Sequence, residues 1–578
     1  MIPRNVLRLL STTLFVVWWD GATHAPTAAQ DRIQAVQLRT DDAQDRAVDG
    51  LVKGSHVKVF IPSLPYIYVS HAINGALIRP SDNARGWEYD MAISHKQIDD
   101  TTYEFQLRQN VSFQDGTPFD ANAVVMNMQA FKEEPVLYSK IDKVFDRCEK
   151  VDDYTVRFYL KQKYGCFMND LIWMQFYTKS YLDIDGWNGK PTCPNLSTPG
   201  PYGLGPYILT EGYIEGDRHT PKAVLKANPN YWNANIPRVE TITVYTELDS
   251  AEAKNQVLEE EGQLDIAFIP PEYKVDTILS PYAKLITSSS TNNIAIHFNL
   301  INGNSKLRDK QVRRALNEAL HQRNLLHFVF EREGELSPTQ ASPFFPGMRK
   351  VQDLLPYSEI EDPYQKAKQA ELTQILDGLR LKVLTQNRFM DMWRGIETQL
   401  GRVGVTLDIE EVKSEKEIFG PLLKTNQGDN EVQWDMLVWG NDDWFFNHPF
   451  TAFLVYRTHN VWSSIYPDTV LDNFIEEMFR ARVTNPQTGQ TEPEFEEITR
   501  KIVQHVHDEA YMLFVPTPNN VFAVNKEVVF KPYRMACFPL WNIQVTEQHW
   551  SVRDGTYPQQ LKKPVKITRI TFDDESTP

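Results

Sequence analysis

The residues with the most evident chemistry cluster between Trp434 and Pro449, W-D-M-L-V-W-G-N-D-D-W-F-F-N-H-P. Adjacent carboxylates, Asp442 and Asp443, follow a Gly440-Asn441 turn signal, and Trp444, Phe445 and Phe446 follow the acids. Ahead of the turn, Met436-Leu437-Val438-Trp439 reads as a buried strand. A strand that runs into carboxylates and flat rings has the composition of a ligand-crevice rim at the C-terminal end of an α/β sheet. The same residues also fit a surface loop, with solvated acids, a turn-forming Asp442 and rings folded back on the core. The rest of the chain has to separate these readings.

No catalytic set accompanies the stretch. The sequence has no G-x-S-x-G elbow and no H-E-x-x-H pair, and no G-K-[ST] follows the glycines of Gly200-Pro-Tyr-Gly-Leu-Gly205. His505-Val-His507-Asp508-Glu509 has metal-like composition but lies in the helical pattern Glu496–Ala510. Residues two apart on a helix face different ways, so the pair reads as solvated surface. Cys148, Cys166, Cys193 and Cys537 form no C-x-x-C motif. In an oxidising compartment they allow two disulfides in any of three pairings, and they equally allow free buried thiols. No metal site and no cofactor is expected, and the chain is not read as an enzyme.

The elements that would position the rim alternate. Val57–Pro62 reads as a first strand, and Thr102–Arg108 as a half-buried one with Tyr103, Phe105 and Leu107 on one face. Val111–Gly116 ends in an Asp-Gly turn, and Asp120 caps a helix starting at Ala121. Val156–Leu160 and Ile242–Tyr245 read as strands, Ala251–Glu261 as a helix and Gly262–Ala267 as a return to strand. Ala295–Leu300 is a further strand. Asp309–His321 is an amphipathic helix with Val312, Ala315, Leu316, Ala319 and Leu320 on one face. Sheets flanked by helices follow from this alternation.

Bulk properties set the class. A chain of 578 residues exceeds one core and implies two to four domains. A net charge of -16 disfavours nucleic-acid binding and docking on anionic lipid. Arg4 and Arg8, the apolar run Leu9–Trp19 and the small residues Thr27-Ala28-Ala29 read as a secretory signal peptide cleaved near Ala29. The run is too short for a membrane span, so the mature protein is expected to be exported.

Several motifs carry a resemblance. Trp87 through Ala92, then Tyr103, Phe105, Leu107, Arg108, Val111, Phe113, Asp115, Gly116, Asp120, Ala121 and Val124, form an ordered strand–turn–helix signature. Gly203-Leu-Gly-Pro-Tyr207 pairs with Asn228-Pro-Asn-Tyr231-Trp232. The helix from Val312, the Asp362-Pro363 helix start and the Gly401/Gly404 turn follow in order. Over residues 85–545 the chain resembles family 5 extracellular solute-binding proteins, the oligopeptide, dipeptide and nickel receptors of ABC importers. The resemblance implies an α/β, type II periplasmic-binding-protein fold, with two lobes joined by hinge strands and an extra subdomain in the first lobe. It implies a signal peptide at 1–29, a first lobe at 30–290 with its subdomain near 85–185, a second lobe at 291–510, and a return to the first lobe at 511–578. The segment between Val57 and Trp87 departs from the family by being shorter, in a region where the family contacts its ligand.

The resemblance also implies roles. Peptide-binding members carry a Trp-x-x-Asp motif after a second-lobe strand, matched here by Trp439 and Asp442, whose carboxylate pairs with the ligand ammonium. Asp443 takes that role if the register slips by one. Trp439, Trp444 and Phe445 would form tolerant side-chain pockets. Nickel-binding members use a histidine near the position of His459, a residue that also fits plain surface. The implied function is a periplasmic, monomeric receptor that closes on short peptides and delivers them to an inner-membrane permease and ATPase. A metal chelate or an oligosaccharide is the alternative cargo.

Overall fold

The computed structural model describes residues 43–570, apart from short stretches at 62–64, 84, 135–138, 188–195, 197, 216–217, 352, 414, 429–432, 442, 444–446, 459, 486–487, 536 and 564–567. The expected signal peptide and Cys193 lie outside the described residues. Among these, no helix is long and apolar enough to cross a membrane.

Two large sheets organise the chain. The eight-stranded sheet runs Thr568–Ile570, Ala283–Ser288, Asn520–Asn525, Ile266–Phe268, Val52–Phe60, Val239–Tyr245, Lys222–Ala227, Tyr207–Glu211. Its central pairs, Val52–Phe60 with Val239–Tyr245 and with Ile266–Phe268, are parallel. The five-stranded sheet runs Thr406–Val412, Arg380–Gln386, Met436–Asn441, Asn293–Phe298, Met512–Leu513. The chain passes between the sheets twice, from Ala283–Ser288 into Asn293–Phe298 and from Met512–Leu513 back to Asn520–Asn525. A four-stranded antiparallel sheet, Ala92–Asp99, Thr102–Leu107, Thr155–Leu160, Phe145–Asp152, stands beside them. This is the two-lobed α/β fold with an appended subdomain.

Local sequence accounts for much of it. Tyr103, Phe105 and Leu107 alternate into the core because successive strand residues face opposite sides. Asp120 accepts from the Asn122 and Ala123 N–H groups, a cap worth about 1 kcal/mol. Asp309 caps the helix Lys310–Glu318 in the same way, and Val312, Ala315, Leu316, Ala319 and Leu320 are buried. Asp265 is fully buried and ties the first lobe together. It accepts from Lys58 N at 2.9 Å, Asn525 Nδ2 at 3.0 Å and Trp550 Nε1 at 2.8 Å, three distant segments.

One expectation is corrected. His505 and His507 are not a solvated pair. His507 lies flat on Tyr357, with ring centroids 4.2 Å apart, and His505 contacts Asp468 at 2.6 Å. The helix Pro493–Glu509 buries the stripe Phe495, Ile498, Ile502, Val503 and Val506, and His507 sits one turn beyond Val503 on it. Cys148, Cys166 and Cys537 are free thiols.

Candidate functional site

The rim stretch leaves the five-stranded sheet beside the first crossing. Met436–Asn441 pairs antiparallel with Asn293–Phe298, matching Trp439 to Ala295 and Asn441 to Asn293. Trp439 is 6% exposed, packed edge-on against Phe419 at 4.8 Å and beside Trp462 at 5.5 Å and His297 at 6.0 Å. Its ring therefore belongs to the packing of the second sheet rather than to an open rim. Its indole N–H has no hydrogen-bond acceptor among the described residues.

Asp443 is fully buried, and both oxygens are occupied. Oδ2 accepts from Thr291 Oγ1 at 2.6 Å and Asn447 N at 2.7 Å, and Oδ1 accepts from Thr451 Oγ1 at 3.1 Å. Thr291 lies in the first crossing between the sheets. The carboxylate is thus committed to pinning the rim stretch onto the first crossing, and is not left open for a ligand ammonium. Asp443→Ala removes three hydrogen bonds and strands their donors, so the protein is expected to lose about 3 kcal/mol of stability, read by urea unfolding. Asp442, Trp444, Phe445 and His459 lie outside the described residues.

A second feature was not visible in the sequence. The turn before the helix Phe167–Trp173 seats against the end of the helix Thr469–Arg480. Gly165 N–H donates to Phe479 O at 2.6 Å, and Tyr164 stacks on Phe479 at 5.9 Å. Lys140 pairs with Glu476, and Cys166 Sγ lies 3.2 Å from His448 Nε2. Gly86 abuts Asn447, leaving no room for a β-carbon. These contacts join the appended subdomain and its neighbouring loop to the second lobe.

The Cys166–His448 pair has the composition of a nucleophile and base but not the electrostatics. Burial pushes the thiol up well above its ordinary value and drives the imidazole down to about 3. His448 Nδ1 accepts the Phe450 N–H, so the neutral ring carries its proton on Nε2, facing the sulfur. Neither a thiolate nor an available base results, and the pair serves packing.

The described fold is thus two lobes bridged by two crossings, with an appended sheet and a rim stretch braced by Asp443 at the first crossing. Residues 86–462 match the sequence model for bacterial extracellular solute-binding proteins, family 5 (middle region), and the chain belongs to that family. The glutathione-binding protein GsiB of Salmonella paratyphi A is 28% identical over 278 residues, 47% of this chain and 50% of that protein. Protein XP55 of Streptomyces lividans is 27% identical over 271 residues, 46% of each chain. The chain thus spans about half the length of the curated relatives it matches. NikA of Brucella suis with Fe(III)-EDTA superposes with a TM-score of 0.68 at 19% identity, covering 85% of this chain and 100% of that one. AppA of Bacillus subtilis with a nonapeptide gives 0.64 at 18%, covering 86% and 100%. DppA of Helicobacter pylori with the peptide STSA gives 0.65 at 16%, covering 87% and 99%.

Proposed function

We propose that this protein captures short peptides by hinge closure and hands them to a membrane permease and ATPase. The observation that carries the reading is the position of the rim: the strand ending at Asn441 runs beside the first crossing, and Asp443 is pinned to Thr291 within it. In this reading Asp442 holds the ligand ammonium, a charge-assisted bond worth roughly 1.5–3 kcal/mol. Trp444 and Phe445 supply tolerant pockets, and backbone groups pair with the extended ligand. The lobes divide near residues 290 and 511, the signal peptide is removed near Ala29, and the monomer acts outside the cytoplasm as a carrier without turnover. Relatives described as glutathione-binding support a peptide cargo, as do neighbours solved with peptides.

A metal chelate is the second reading, supported by the Fe(III)-EDTA complex of one structural neighbour and resting on His459. Thermal-shift measurements separate them. Short peptides, glutathione included, are expected to raise the melting temperature by several degrees, and Asp442→Ala is expected to abolish most of that shift. A shift with nickel plus histidine, and none with any peptide, would replace this reading with the other.

A further inference from the structure

We propose that the cleft of about 830 Å³ between the appended subdomain and the second lobe holds a carboxylate-bearing side chain of a ligand, gripped from both walls. Its cations come from two bodies. Arg85, Lys96 and Lys163 stand on the subdomain side, and Arg480 and Arg482 on the second lobe. Lys96, Lys163, Arg480 and Arg482 have no carboxylate partner among the described residues. Arg482 instead donates to the Gln97 amide across the cleft.

Arg85 and Arg482, one from each wall, both act on the His95 ring and, after burial, help hold it below its ordinary value. His95 is fixed between Tyr89 OH at 2.8 Å and Phe105, on which it stacks at 5.5 Å, so it cannot swing aside. Bringing like charges together from two walls opposes closure, and an anion between them removes that opposition. The cleft also carries Asp99, Asp100, Glu492 and Glu494. Asp99 is spent on its own hairpin turn, accepting from Thr101 N and Oγ1 at 2.8 and 2.9 Å. Asp99 and Asp100 act on Tyr103, where Arg482 opposes them, and neither acts on His95.

One side of the cleft packs against the rim stretch. Gly86, between the lining residues Arg85 and Trp87, touches Asn447 of the rim stretch. The anion site stands on the cleft alone, and its assignment to a peptide carboxylate rests on the peptide reading.

The test is calorimetric titration of the wild type and Arg480→Gln/Arg482→Gln with Ala-Ala-Glu and Ala-Ala-Gln. The wild type is expected to prefer the acidic peptide by about tenfold, and the double variant to lose that preference while binding Ala-Ala-Gln as before. Lys306→Gln/Lys366→Gln, of equal charge change on exposed helices, should keep it. A preference that persists in the arginine variant, or a wild type without one, overturns the proposal. If the wild type takes neither peptide, the peptide reading fails by itself and glutarate decides the cleft. A glutarate-induced thermal shift that the arginine variant loses supports the anion site, and no shift overturns it.

Discussion

Gly165→Val should weaken ligand binding by about a hundredfold while leaving the melting temperature of the ligand-free protein nearly unchanged. A β-carbon at Gly165 would lie 1.7 Å from Ala481 O, a backbone atom that cannot be moved by a rotamer change. The Gly165 N–H also donates to Phe479 O at 2.6 Å, so the two segments cannot simply separate by an ångström and keep the seam. The contact joins two bodies between which the described chain crosses twice, so the clash is relieved by parting them. Its cost falls on the closed form alone, and a closed form penalised by about 3 kcal/mol binds about a hundredfold more weakly. Titration measures the affinity, and small-angle scattering of the variant should give a larger radius with ligand than the wild type. Unchanged affinity would mean that the seam is not formed by closure.

Acid is expected to destabilise the protein well before its carboxylates titrate. Burial drives His71, His297 and His448 down to about 3, with Arg79 adding to the effect at His71. A histidine whose folded pKa lies below the unfolded value binds its proton in the unfolded chain first. Its contribution is therefore full above about pH 6.5 and is lost as pH falls toward 3. Each such group costs about 1.4 kcal/mol per pH unit within that window. Urea unfolding at pH 7.0, 6.0 and 5.0 should show the midpoint falling steeply, and His297→Gln should flatten that slope. His297 is the cleanest probe, since burial is its sole cause of shift and Ser464 Oγ, at 3.0 Å from Nδ1, is its hydrogen-bond partner. A midpoint constant from pH 7 to 5 would contradict the burial of these rings.

What the sequence made legible was periodic and local. The alternation of Tyr103, Phe105 and Leu107, the Asp120 cap and the apolar face from Val312 to Leu320 all depend on neighbours within one or two turns, and the structure repeats them. His507 went the other way for a reason that was present but unused: it lies four residues after Val503 on the buried stripe, so one histidine of the pair had to face inward. The rim stretch was legible as a strand, but Gly440 and Asn441, read as its turn, continue that strand and pair with Ile294 and Asn293. The commitment of Asp443 was not legible, because its partner Thr291 lies 152 residues earlier. The seam was likewise out of reach. Cys166 and His448 meet across 282 residues, and nothing in either local pattern announces a partner. Gly165 looks like an ordinary turn glycine until Ala481 is placed against it.

The central claim, a receptor that closes on a peptide, is tested most directly by native mass spectrometry of protein stripped of ligand by unfolding and refolding, then mixed with a pool of short peptides. The account predicts a single bound peptide per chain, displaced when Asp442 is replaced by Ala. A chain that retains no peptide from the pool, yet takes up a nickel–histidine complex under the same conditions, would contradict it.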